Sequence, residues 1–180
     1  MSTTATLFPA RSSLELGPKA HYLEVSAHEH ETTLRVLRAF PDEALELRPQ
    51  EKCNTGRELA HVFVREQRLL MTALTTGIDW SSPPPEPPPV PETVAGIVEE
   101  LETEWARVRT IVEGLDQDAL AGMVEFMVAP KTRGDVPLLD FLWMVLYDEI
   151  HHRGQLSVYL RIAGGRLPSI YGPTADEPWL

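Results

Sequence analysis

Apolar positions recur at helical spacing in four long stretches of the chain. Leu23, Ala27, Leu34 and Leu37, with His30 among them, form one inward stripe between about residues 16 and 40, and Pro41 closes it. A second helix is predicted from Thr55, where Glu58 completes a capping-box pattern, to about Thr76, with Gly77 fitting its end. Its apolar face carries Leu59, Val62, Phe63, Leu69, Leu70 and Ala73. A third helix follows Pro91, with Val94, Ile97, Val98, Leu101, Trp105, Val108, Ile111 and Val112 on one broad face. The fourth begins after Pro137 and ends at Gly164 and Gly165, burying Leu138, Leu142, Val145, Leu156, Tyr159, Leu160 and Ala163.

The stretches between are of different kinds. PDEAL, from Pro41, opens a short turn, and RPQEKCNTG is a polar connector without a period. SSPPPEPPPVP, Ser81 to Pro91, cannot be helix or central strand and reads as polyproline II, a stiff spacer between helix ends. Residues 116–136 are less regular, with Val124 to Val128 as a short extended piece bounded by Pro130 and Gly134. The simplest architecture is an all-α, up-down four-helix bundle spanning residues 1–180 as one domain, with the Pro-rich loop between helices 2 and 3.

Composition narrows the function more than the fold. The chain has 180 residues and a formal net charge of −11, so its surface should repel nucleic acid and anionic membrane. No apolar run approaches a membrane span, and MSTTATLFPARSS lacks the apolar centre of a signal peptide. Cys53 is the single cysteine, which excludes an intrachain disulfide and points to the reducing cytoplasm. It lies in a connector and reads as a bystander.

Chemistry is sought among polar residues that face inward, because buried polar groups need partners. On helix 4, Glu149 and His152 fall within the buried face, Asp148 lies on its shoulder and His151 is rotated away. Asp148 and His152 are four apart, so both can reach one ion. On helix 2, Glu66 lies in the middle of the apolar face, while His61 shares a solvated side with Arg57, Arg65 and Arg68. His30, taken alone, is a hydrogen-bonded core histidine. Together His30, Glu66, Asp148, Glu149 and His152 would bury several carboxylates near each other, a cost that a divalent cation removes. Carboxylate with imidazole suits zinc, iron, nickel or manganese.

Two segments carry a resemblance. DEIHHRGQLSVYLRIAGGRLPSIYGPTADE, residues 148–177, closely resembles the end of the DinB family, the DinB/YfiT-like metalloenzymes, and RELAHVFVREQ, residues 57–67, resembles its second helix. The resemblance implies a four-helix bundle, often a homodimer, holding one divalent metal through three histidines. The helix-2 histidine of that set matches His61, and the second histidine of the last helix matches His152. The first falls on Asp148, which would leave a two-histidine, one-carboxylate site with open positions; Glu66 or His30 are the alternatives to His61. The implied activity is that of a metal-dependent enzyme, a thiol-dependent S-transferase or a hydrolase. Its metal would activate a small-molecule thiol or a water, with Glu66 or Glu149 as base. The alternative is a non-catalytic, metal-stabilised dimeric stress-response bundle. Glu149 is the nearest second-layer partner for His152, and Arg153 and Gln155 are expected to fix the terminal YGPTADE segment.

Overall fold

A computed structural model describes residues 16–83 and 86–180. Residues 1–15 of the expected domain and Pro84 and Pro85 of the spacer lie outside the described residues. Helix α1 spans Pro18–Arg38, α2 Gly56–Ala60, α3 Val62–Thr75, α4 Val94–Gly114, α5 Gln117–Leu120 and α6 Leu138–Ile162. A 3₁₀ turn, Asp42–Ala44, forms where PDEAL was read as a turn. Among the described residues, no helix is long and apolar enough to cross a membrane.

The helix ends follow local chemistry. Thr55 and Glu58 make the reciprocal capping box, each side chain satisfying the other's backbone N–H. Thr93 caps α4 by accepting from the Gly96 N–H. Gly77 and Gly164 sit just beyond α3 and α6 at φ 74° and 76°, left-handed values that favour glycine. The second helix is not continuous: it breaks at His61, which ends α2 and starts α3.

The long helices pack as a ring in which α1 and α3 each touch α4 and α6. Contacts along the interfaces give their directions. Lys19 reaches the Leu115 carbonyl and Arg38 pairs with Glu102, so α1 and α4 are antiparallel. Tyr22 meets Trp143 and Glu29 meets Arg153, so α1 and α6 are parallel. His61 meets Glu100 and Arg68 meets Glu104, so α3 and α4 are parallel as well. The order is therefore up-down-down-up, which corrects the expected alternation. A parallel pair needs a connection as long as its helices. The 14 residues of α3 span about 21 Å, and residues 76–93, which connect α3 to α4, are long enough to cover that distance.

The chain is mostly helical, but not all-α. Strand β1, Met123–Ala129, pairs antiparallel with β2, Thr132–Pro137, through a turn at Lys131, φ 60°. The extended piece at Val124–Val128 thus acquires a partner that its own sequence does not announce. Phe126 anchors the hairpin by packing edge-on against Phe141 of α6, ring centroids 5.0 Å apart.

The core is divided. One apolar cluster gathers Leu34, Leu37, Phe40, Leu59, Phe63, Ile97, Leu101, Leu156 and Leu160; the other gathers Tyr22, Leu70, Val108, Phe141, Leu142, Val145 and Leu146. Between them along the helices lie Glu29 and His30 of α1, Glu66 and Gln67 of α3, and Arg153 of α6, all buried. This polar layer positions the site.

Candidate metal centre

The C-terminal helix α6 sets Asp148 and His152 one turn apart, and α3 brings Glu66 against them from across the interface. His152 Nε2 lies 3.6 Å from Asp148 Oδ2 and 3.7 Å from Glu66 Oε1. One donor atom from each of the three falls within 4.8 Å of the others. The depth is graded: the Glu66 side chain is 8% exposed, His152 21% and Asp148 58%. The site thus has a buried floor and an open edge.

Glu66 is the anomaly. Both of its carboxylate oxygens are buried without a hydrogen-bond partner. Burial, reinforced by the charges of Glu149 and Asp148, pushes its carboxyl up to about 10. Arg65 opposes this as the smallest of these influences, and among the described residues no donor reaches either oxygen.

The imidazole is held for ligation. His152 Nδ1 lies 3.1 Å from Gln155 Oε1, and Gln155 Nε2 lies 2.9 Å from His151 Nε2. With the amide donating to His151 and accepting from the Nδ1–H of His152, a neutral His152 presents its Nε2 lone pair to the two carboxylates. Three electron-rich groups therefore converge on one point. Either a proton or a cation must lie between, and a mixed nitrogen and oxygen donor set fits a divalent transition metal.

The other sequence candidates stand apart from this group. His61 was read as sharing a solvated side with Arg57, Arg65 and Arg68, but it is 2% exposed, with Nε2 3.0 Å from Glu100. The reason is that α4 covers that side with an acidic row: Arg68 pairs with both Glu100 and Glu104. Burial holds the His61 imidazole below its ordinary value, against the opposing pull of Glu100. His30 is buried and stacks on Trp105 at 4.1 Å; burial lowers it to about 4. Glu149 accepts from Gln67 Nε2 at 2.5 Å and not from His152. Burial pushes Glu149 up to about 7, against the Gln67 hydrogen bond and the Arg153 charge.

Two residues do different work from that expected. Gln155 orients His152 and not the C-terminal segment; its place one turn beyond the histidine, on the same helix, is a signal that was legible. Arg153 does reach the C-terminal segment, through the Tyr171 hydroxyl, but its principal partner is the buried Glu29 of α1.

Two clefts border the group. One, of about 450 Å³, has Glu66 and Asp148 in its wall; the other, of about 500 Å³, has His152 and Gln155, with Cys53 and Tyr159 beside them.

Comparison with known proteins agrees with this architecture. The chain is 27% identical over 160 residues to the uncharacterised protein YrdA of Bacillus subtilis, covering 87% of this chain and 90% of that one. A DinB-like protein of Bacillus cereus has the same fold at a TM-score of 0.69 and 20% identity, covering 83% of this chain and 95% of the other. The DinB-like protein YjoA of Bacillus subtilis superposes with a TM-score of 0.63 at 17% identity, over 83% and 97% of the two chains. The DinB family model matches residues 1–179, so the helices that carry Glu66, Asp148 and His152 lie within a match of nearly the whole chain, and the protein belongs to the DinB family.

Proposed function

We propose that this chain is a metal-dependent enzyme on a DinB-type four-helix bundle, with a divalent cation held by Glu66, Asp148 and His152. The observation that carries the proposal is the buried, unpartnered Glu66 carboxylate facing the Nε2 lone pair of His152. A protein does not keep such a pair buried at no cost; replacing the missing donor with a cation turns repulsion into ligation.

When bound, the cation would supply Lewis acidity, bringing a water or a thiol towards ionisation near neutral pH. The chain's own residues supply the rest. Glu66 fixes the floor of the site and Asp148 its open edge, so a small molecule can approach from the solvent side. Gln155 keeps the His152 ring in its ligating tautomer. Glu149, hydrogen-bonded to Gln67, adds its charge beside Glu66 and so strengthens the need for a cation there. A two-carboxylate, one-histidine set is harder and more negative than three histidines, so manganese and iron compete better with zinc here.

The test is metal content. The protein is purified, freed of metal by chelator, and its thermal unfolding followed while zinc, manganese or iron(II) is added. Binding to the folded state stabilises by about 2.7 kcal/mol at a hundredfold excess over Kd. His152→Ala should lose metal retention and His151→Ala should keep it; equal metal content in the two variants would overturn the assignment.

A further inference from the structure

We infer that the cleft beside Glu66 and Asp148 receives an apolar group, so that the molecule acted on is an amphiphile with a small metal-binding head and a hydrocarbon body. The inference rests on the metal reading above and extends it to the class of substrate.

The cleft is about 450 Å³, within the range of small-molecule sites. Its charged lining groups are Glu66 and Asp148, which form the polar end of its wall. The remaining wall is Leu69 of α3, Met144, Val145 and Tyr147 of α6, and Phe126 of β1. At the polar end Glu66 is more than nine-tenths buried, with both oxygens unpartnered. The apolar wall is built and not incidental. Phe126 is fixed on one side by Phe141 and on the other by Trp80, ring centroids 5.9 Å apart. Trp80 is itself tied to the hairpin by its Nε1–H, which donates to the Glu125 carbonyl at 3.0 Å. Tyr147 stacks on Trp143. The hairpin that interrupts the helical order therefore has a use: it supplies the side wall that helices α3 and α6 leave open.

The second cleft differs in chemistry. Lys52, Asn54 and Gln155 line it beside His152, interleaved with Leu59, Val158 and Tyr159. A molecule whose head sits at the Glu66, Asp148 and His152 group thus meets a wall of apolar side chains on the hairpin side and a mixed polar and apolar wall on the other. Its apolar body is drawn to the hairpin side because burial there removes hydrocarbon from water without stranding a donor.

The experiment uses the full chain loaded with zinc, its metal content measured first, and n-alkyl hydroxamates of two to eight carbons as probes. Affinity should rise about fourfold per methylene until the cleft is filled. Met144→Trp should flatten that dependence while zinc content stays at the wild-type level, which shows that the variant is folded. Val158→Trp, in the second cleft, should leave the dependence unchanged. Should Met144→Trp fail to fold, Leu69→Trp makes the same test. Zinc binding with affinity independent of chain length overturns this inference alone. So does a dependence that Val158→Trp removes and Met144→Trp does not. Failure to bind zinc at all overturns the metal reading, and this inference with it.

Discussion

Two polar clusters hang from adjacent residues of α6, and they are electrostatic opposites. In the first, Arg153, 2% exposed, pairs with Glu29 at 2.6 Å and donates to the Glu29 carbonyl, the Thr33 hydroxyl and the Tyr171 hydroxyl. The Tyr171 hydroxyl in turn donates to Glu29 Oε2 at 2.7 Å. A guanidinium, a carboxylate and a phenol satisfy one another, and the C-terminal segment is tied to α1 in the process. In the second, one residue earlier, His152 faces Glu66 and Asp148 with no cation of its own. The first cluster contains everything its burial requires. The second leaves both Glu66 oxygens without a donor. A self-neutralised cluster fixes a fold; an incomplete one of the same size is suited to bind.

The comparison can be broken in order of expected effect. Arg153→Ala strands the buried Glu29 and should destabilise the protein by about 3–5 kcal/mol, read from denaturant unfolding. A loss under about 1 kcal/mol would mean that the first cluster is not the internally balanced one.

The second cluster should behave in the opposite sense. In metal-free protein Glu66 is held up at about 10, against 4.5 for the free side chain. The folded state then retains a proton that the unfolded state has released. This contribution is complete below about pH 4.5 and is lost as pH rises towards 10, at about 1.4 kcal/mol per pH unit. Glu66→Gln should flatten that slope in metal-free protein and abolish metal binding. A variant with the wild-type slope would show that the carboxyl is ionised and partnered.

Smaller effects sharpen the contrast. Tyr171→Phe removes two hydrogen bonds of the first cluster, one of them to a charged carboxylate, and should cost about 1–3 kcal/mol without changing metal content. Asp148→His should keep or increase zinc affinity in direct titration, because the open edge of the site accepts a larger ligand; loss of zinc would mean that Asp148 does not face the ion. His151→Ala removes only the far end of the Gln155 brace and should lower metal affinity by less than tenfold.

Much of the second cluster was legible from spacing. Asp148 and His152 are four apart in a helix with an apolar face on either side of them in sequence, and Glu66 interrupts an apolar stripe where no charge belongs. The expectation for His61 failed in its surroundings because helical phase counts charge as exposure. Arg57, Arg65 and Arg68 looked like a solvated face, yet Glu100 and Glu104 of α4 convert two turns of it into a covered ion-paired seam. The partner of Arg153 was hidden for a related reason: Glu29 is 124 residues away, and no local pattern encodes that distance. The hairpin was half visible, as one extended piece, since a strand's partner is a tertiary fact.

By itself the sequence determined where the long helical stretches lie, which stripes are apolar, and which acids and imidazoles interrupt those stripes. These are properties of the chain over a few residues: caps, left-handed glycines, and a 3.6-residue period. The tertiary structure alone decided that α3 and α4 run parallel, that His61 answers to Glu100, and that Glu66 meets His152 while Arg153 finds Glu29. Those outcomes depend on which helices become neighbours and in which direction. That choice is made by the whole core at once, through burial and charge pairing across interfaces that no single segment contains.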